Sequence, residues 1–353
     1  MINESFWKGK KVLITGHTGF KGAWLSIWLN KLGADVTGYA LMPPTNPSLF
    51  DLCRLDKDFP SVIGDVRDKE NLRKTIIEAN PDIVIHMAAQ TLVKKSYLNP
   101  VETYETNVLG TVYLLDAIRE CNNVRVIINV TTDKCYENRE WVWGYRENDP
   151  LGGSDPYSNS KACSEFVTDS FKQSFFPLEK FHEHGVAIAT SRAGNVIGGG
   201  DWAENRLIPD IFYAISKKEL LNIRYPNATR PWQHVLEPLS GYLILAEKLY
   251  LNGKVYSSAW NFGPNRENNK TVKWIVEYLA GKLTFDYKVE TNSFQKESHF
   301  LMLDSSKAIH NLGWQPKWGI EKTLDLIIEW YEGYKNPYNI KDVCLNQIKS
   351  YQK

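Results

Sequence analysis

Lys11-Val-Leu-Ile-Thr15 runs directly into Gly16-His17-Thr18-Gly19-Phe20-Lys21-Gly22, and this junction decides the fold. Four apolar or β-branched residues read as a buried strand, and the stretch from Lys21 to Leu32 reads as a helix. Between them the glycines fall at 16, 19 and 22. Glycine at 16 permits a tight turn, and glycine at 19 lets backbone N–H groups approach an anion at the positive helix end. Glycine at 22 lets helix and strand pack closely. A GxxGxxG spacing between a strand and a helix marks a site for a dinucleotide pyrophosphate.

Working outward, Asp35–Tyr39, Ser61–Ile63, Asp82–His86, Val124–Val130 and Gly185–Ser191 read as further strands. Asn71–Ala79, Val101–Glu120 and Asp155–Ser174 read as the helices between them. Near-continuous apolar strands alternating with helices predict a parallel sheet covered on both faces, a Rossmann-like doubly wound α/β fold. After Arg192 the pattern loosens into Gly198-Gly-Gly200, scattered Trp and Asn, and the Pro226/Pro231 pair, which suggest loops over a cleft. Val235–Leu251 reads as a helix and Ala259–Phe262 as a late strand. The expected organisation is a dinucleotide-binding domain at 1–192, with 233–262 returning to it. A smaller, discontinuous α-rich substrate domain takes 193–232 and 263–353.

The acidic residue that would hold a ribose 2′-OH is missing from the end of the second strand, which reads Gly38-Tyr39-Ala40-Leu41. No Lys or Arg lies between Lys31 and Arg54 to clamp a 2′-phosphate, so NAD is favoured over NADP. Asp65 with Val66, after the third strand, would border the adenine; a turn aspartate is the competing reading for Asp65.

The 353 residues carry 42 Lys+Arg against 41 Asp+Glu, a balance that argues against nucleic acid as the main partner. No apolar run approaches a membrane span. Five widely spaced cysteines (53, 121, 135, 163 and 344) without a CxxC pair read as reduced thiols of a cytosolic enzyme. His182-Glu-His184, placed on a loop, is too sparse for a metal site, and none is expected.

Tyr157-Ser-Asn-Ser-Lys161 opens a helix, and a spacing of four puts phenol and ammonium on one face. A neighbouring cation stabilises the phenolate. Thr131-Thr132-Asp133 ends a central strand.

Together these motifs resemble the extended short-chain dehydrogenase/reductase family over most of the chain. Thr132-Asp133-Lys134-Cys135-Tyr136, Gly152-Gly-Ser-Asp-Pro-Tyr157, Arg192-Ala-Gly-Asn195 through Trp202, and Arg230-Pro-Trp-Gln-His234 resemble its nucleotide-sugar 4,6-dehydratases. Relatives acting on dTDP-glucose usually carry Thr-Asp-Glu, and Lys134 in the third place points to the CDP-D-glucose branch. The resemblance implies oxidation at C4 of the sugar by NAD, loss of water across C5–C6 and return of the hydride to C6. Another nucleotide-sugar dehydratase, or an epimerase using the same Tyr157/Lys161 pair, is the alternative.

Under this resemblance Tyr157 takes the 4-OH proton, Thr132 holds the 4-oxygen and Asp133 protonates the leaving 6-OH. Lys134 is either a neutral base for the C5 proton or a cation stabilising the enolate. Gly16, Thr18, Gly19, Phe20, Gly22, Asp65, Val66, Ala88, Ala89, Gln90 and Asn107, with Tyr157 and Lys161, form the implied cofactor set. Asn195, Arg206 and Arg230 would meet the sugar diphosphate, and Trp232 and His234 would line the nucleoside pocket. The helices from Val101 and Asp155 are expected to meet a twin subunit in a homodimer or homotetramer, and the product to feed a bacterial surface polysaccharide.

Overall fold

The computed structural model describes residues 2–289, 301–335 and 340–353. Its centre is a seven-stranded sheet in which every pairing is parallel. Strands β1 (Lys11–Thr15), β2 (Asp35–Ala40), β3 (Ser61–Ile63), β4 (Ile83–His86), β5 (Val126–Val130) and β6 (Ala187–Arg192) are joined by the late strand Ala259–Asn261. The order is β3-β2-β1-β4-β5-β6 and then Ala259–Asn261. The winding reverses between β1 and β4, and in such sheets ligands bind at that switch, beyond the strand C-termini.

Alternation along the strands buries both faces. Val12, Ile14, Ile83, Ile85, Val126 and Ile128 join one core, while Leu13, Val84, Ile127 and Ile188 join the other. Helices Phe20–Lys31 and Leu236–Tyr256 cover the first face, and Lys69–Ala79, Gly110–Ile118 and Pro156–Phe175 the second. The helix starts follow local chemistry. Asp68 accepts from the Asn71 N–H, and Asp155 accepts from the Ser158 N–H with Pro156 in the first turn. The Phe20–Lys31 helix has no side-chain cap at Gly19, so its first N–H groups stay open to a ligand.

The expected single helix over 101–120 is instead three pieces: Pro100–Tyr104, a π-helical turn Glu105–Leu109 and Gly110–Ile118. The π turn swings Asn107 inward, where Oδ1 accepts from the Gln90 N–H at 2.8 Å and Nδ2 donates to Gln90 O at 3.0 Å. Periodicity cannot foresee such a bulge, since it inserts one residue without changing the apolar pattern. The loops expected after Arg192 contain a helix, Leu207–Lys217, and three two-stranded sheets. Strands of two or three residues are too short to display a period. His182-Glu-His184 lies in a short helix, Phe181–His184, not a loop. His184 is committed to Pro177 O and to the Val186 N–H.

Helices Val272–Ala280, Ser306–Leu312 and Ile320–Tyr334 build the remainder. The last helix, Ile340–Gln352, lies against Phe20–Lys31, and Ile340, Cys344, Ile348 and Tyr351 join the core of the first face.

Candidate active site

At the dinucleotide loop two glycines are obligatory. Gly16 has φ +78°, and a Cβ there would lie 2.8 Å from Ala88 N. A Cβ at Gly22 would sit 2.1 Å from Gly16 O. The loop is tied to the end of β2, for Gly16 N donates to Tyr39 O and Thr18 Oγ1 to Leu41 O. Phe20 is half-buried beneath Gly198. The segment Met87-Ala88-Ala89-Gln90 faces this loop, with the Met87 and Ala88 N–H groups donating to Thr15 Oγ1 at 3.1 Å each. An uncapped helix end and a cradle that a Cβ would fill fit a pyrophosphate.

Three members of the expected cofactor set are otherwise engaged, among them the buried Asn107, whose amide is spent on the Gln90 backbone and on Ser160 Oγ. The Asp65 carboxylate receives three bonds from Arg67: backbone N–H, Nε and a terminal guanidinium nitrogen. The turn aspartate describes that side chain, and the Asp65 carbonyl is engaged as well, accepting from Tyr39 Oη at 2.8 Å and from the Asp68 N–H at 2.9 Å. The Gln90 amide is spent on Leu92 and Thr103, so it shapes the loop rather than facing outward. Val66 is buried against Gly110.

The catalytic candidates converge. Thr132 caps the short turn Asp133–Cys135, accepting from the Lys134 N–H and donating to Asp133 Oδ1 at 3.0 Å. Asp133 is 1% exposed, and its Oδ2 has no partner. A Cβ on Gly194 would stand 1.7 Å from that oxygen, so only glycine leaves the carboxyl its room. Burial pushes the Asp133 carboxyl above its ordinary value, although Lys134, Thr132 and Arg230 oppose it. A buried acid with an unpartnered oxygen, made by burial to hold its proton more tightly, is suited to donate that proton.

Tyr157 is buried, and the Thr132 hydroxyl lies close enough to its phenol to favour the phenolate. Burial pushes the phenol up to about 12, and Thr132 and Arg206 act against that rise. Lys161 is 4% exposed and donates to Val130 O at 3.1 Å. Burial lowers its ammonium to about 8, with Glu165 and Cys135 pulling the other way. Lys134 is half-buried on the same turn as Asp133.

On the substrate side, Arg206 reaches across the cleft, donating to Asp201 Oδ2 at 2.9 Å and to Thr91 Oγ1 at 3.3 Å. Its charge is felt at both Tyr157 and Lys21. Arg230 is half-buried and its charge is felt at Asp133. Asn195 adopts φ +46° in the loop after β6. Trp232 is buried with Nε1 on Lys270 O. His234 stands apart from the cluster: it is fully buried edge-to-face against Trp24 and Trp318, and its Nδ1 accepts from the Leu236 N–H. Its apolar neighbours place it in the core between the sheet and the outer helices, not on a ligand surface.

Three residues escaped the sequence reading. Gly194 is one. Lys21 is another: its buried ammonium donates to Tyr242 Oη at 2.9 Å, and burial together with Lys161 and Arg206 lowers it to about 7. A lysine in the first turn opposes the helix dipole, and that conflict was the available signal. The third is Glu165, four residues beyond Lys161 on the same helix face.

An all-parallel doubly wound sheet, a glycine cradle at the switch point and a buried Tyr/Lys pair define a dinucleotide-dependent short-chain dehydrogenase/reductase of the extended type. The model of the GDP-mannose 4,6 dehydratase family matches residues 13–327, and the chain belongs to that family. A CDP-glucose 4,6-dehydratase of Salmonella typhimurium is 53% identical over 336 residues, which is 95% of this chain and 94% of that protein. Among solved structures, a dTDP-glucose 4,6-dehydratase from Bacillus anthracis in complex with NAD aligns with a TM-score of 0.75 at 22% identity. That alignment covers 93% of this chain and 98% of the other. A UDP-glucose 4-epimerase from Thermotoga maritima with UDP-glucose aligns with a TM-score of 0.77 at 21% identity, over 92% and 99%.

Proposed function

We propose that the chain is an NAD-dependent CDP-glucose 4,6-dehydratase, a lyase that converts CDP-D-glucose to CDP-4-keto-6-deoxy-D-glucose and water. The observation that carries this reading is the pairing of a buried Asp133, its Oδ2 unpartnered and its carboxyl pushed up by burial, with a buried Tyr157/Lys161 pair. Epimerisation needs only the second; elimination needs both. The 53% identity to the Salmonella enzyme supports cytidine as the base.

Gly16, Gly19, Gly22 and the open end of Phe20–Lys31 would hold the NAD pyrophosphate, with Val66, Ala88 and Ala89 along its length. NAD held there would supply hydride-transfer chemistry, as acceptor toward C4 and as donor toward C6. Tyr157, stabilised as phenolate by Lys161, removes the 4-OH proton, and Thr132 holds the 4-oxygen in place. The 4-keto group acidifies C5–H, whose proton would leave beside Lys134 on the turn, and C5 takes a proton back, drawn from solvent, when the hydride is returned to C6. As the C6–O bond breaks, Asp133 delivers its proton and the hydroxyl leaves as water. Arg206, Arg230 and Asn195 take the diphosphate, for which planar guanidinium groups are suited.

The sugar nucleotide lies between 193–232 with 263–353 and the sheet-bearing remainder; residues 290–300 and 336–339 of that span are outside the described structure. Tyr97, Leu98, Val101 and Phe166 expose apolar surface on Val93–Leu98, Pro100–Tyr104 and Pro156–Phe175, and this supports a second copy of the chain packing there. Among the described residues no helix is long and apolar enough to cross a membrane. We place the enzyme in the cytoplasm, making a deoxysugar precursor for a bacterial surface polysaccharide.

The test is turnover of CDP-glucose against UDP- and dTDP-glucose, followed by the 4-keto chromophore in alkali. Tyr157→Phe should abolish oxidation, with a loss of about 10³-fold or more. Lys134→Ala should form NADH transiently and then stall. Lys134→Arg separates its two roles, since guanidinium keeps the charge but cannot act as a base: retained elimination means electrostatic stabilisation, and lost elimination means proton abstraction. Wild-type turnover in both Tyr157→Phe and Lys134→Ala would refute the assignments.

A further inference from the structure

We propose that Glu165 is the positioning residue of the oxidising pair: its carboxylate, anchored to the ends of two strands and to Arg192, keeps Lys161 charged and fixes the catalytic helix against the Thr132–Lys134 turn. The proposal rests on the roles given above to Tyr157 and Lys161.

Every acceptor position of the carboxylate is used. Oε1 accepts from Thr131 Oγ1 and from Arg192 Nε at 2.9 Å; Oε2 accepts from Thr190 Oγ1 at 2.7 Å and from a terminal Arg192 nitrogen at 2.9 Å. Thr131 directly follows β5 and adjoins Thr132, and Thr190 and Arg192 end β6 just before Gly194 and Asn195. One side chain thereby joins the three segments that must be in register: the acid-bearing turn, the Tyr157/Lys161 helix and the loop against which Asp133 packs. Arg192 also donates to Tyr136 Oη and Glu147 O, so the guanidinium is itself fixed by partners beyond the carboxylate.

Glu165 lies one helical turn below Lys161, on the same buried face. The pair is neutral as a whole, but Lys161 meets its negative end. The other titratable groups around Lys161 are Tyr157 on its own helix, Cys135 on the turn, His86 on β4 and Lys21 on the first helix. His86 is held neutral at about 3 by burial, and the Cys135 thiol is pushed well up by burial. Lys21 adds repulsion. Glu165 is therefore the one carboxylate among these neighbours that offsets the burial of the ammonium, which titrates near 8. Losing it should let the ammonium lose its proton close to neutral pH, and Tyr157 would then lack the cation that stabilises its phenolate.

The test is the titration of Lys161 in the full-length protein selectively labelled with [ε-13C]lysine, its signal assigned by Lys161→Arg. The expected midpoint falls by about one pH unit in Glu165→Gln and returns in Glu165→Asp. In parallel, the alkaline limb of CDP-glucose oxidation should move the same way, so that activity drops about tenfold at pH 8.5 and less than about twofold at pH 6.5. Should Glu165→Gln not fold, the double variant Glu165→Gln with Arg192→Met leaves no unpaired charge and is titrated instead, with the same expectation. An unchanged Lys161 midpoint, or a rate loss equal at all pH values, overturns the proposal. The titration needs no substrate, so inactivity of the wild type on CDP-glucose would refute the functional reading and leave this inference to its own readout.

Discussion

Asp133 and Glu165 are two carboxylates buried within the same site, and their surroundings push them in opposite directions. At the turn above, Asp133 keeps one oxygen bonded to Thr132 and the other unpartnered, and burial wins. At the helix below, burial also opposes the Glu165 anion, but Arg192, Thr131 and Thr190 outweigh it and hold the carboxyl below its ordinary range. The difference teaches that depth of burial does not set the role of an acid; the number of donors aimed at it does. A carboxylate that meets Arg192 and four donated hydrogen bonds is pushed toward the anion, while one with a single donor is pushed toward the acid. The chemistry of dehydration needs one of each, since a fixed anion sustains the cation beside the phenol and a protonated acid releases the hydroxyl.

The largest effect expected on breaking this contrast comes from Asp133→Asn. It keeps the shape and removes the proton, so single-turnover NADH formation should persist while product formation falls about 10²–10⁴-fold. Close behind, Glu165→Gln leaves Arg192 buried without its anion, and chemical denaturation should show a loss of about 3–5 kcal/mol. The double variant with Arg192→Met should recover most of that stability. Gly194→Ala puts a methyl onto Asp133 Oδ2, and an overpacked site of this kind should cost about 1–3 kcal/mol together with most of the elimination activity.

The smallest effect is in the pH dependence of stability, and its sign separates the two acids. Asp133 has a folded value above the unfolded 3.8, so its contribution is fully present below about pH 4 and is lost as pH rises through the folded value. Glu165 has a folded value below the unfolded 4.5, so its contribution is present above about pH 4.5 and is lost as pH falls through the folded value. Thermal melts should therefore find Asp133→Asn slightly more stable than wild type at pH 8 and no more stable at pH 4, whereas Glu165→Gln should narrow its deficit as the medium is made acidic.

Much of this was legible in the chain. The glycine spacing at 16, 19 and 22 with the apolar strands around it gave the sheet, and the four-residue spacing gave Tyr157 and Lys161. Lys161 to Glu165 has that same spacing, yet Glu165 gave no sign of its importance because its partners, Thr131, Thr190 and Arg192, are brought near by strand pairing alone. Gly194 was hidden for a related reason: a glycine that makes room for a side chain 61 positions away leaves no local pattern. His234 shows the reverse case: a polar residue in a motif-like stretch points toward a ligand by pattern, whereas Trp24 and Trp318 enclose it in the core. The π turn that aims Asn107 at Gln90 is invisible to periodicity altogether.

The most direct test of the central claim follows one isotope. CDP-D-glucose carrying deuterium at C4 is incubated with the protein and NAD, and the product is examined by NMR. The account predicts a 4-keto-6-deoxy sugar bearing that deuterium at C6, with C5 hydrogen drawn from solvent and no net NADH. Deuterium retained at C4 of a hexose, or washed out into the medium, would contradict it.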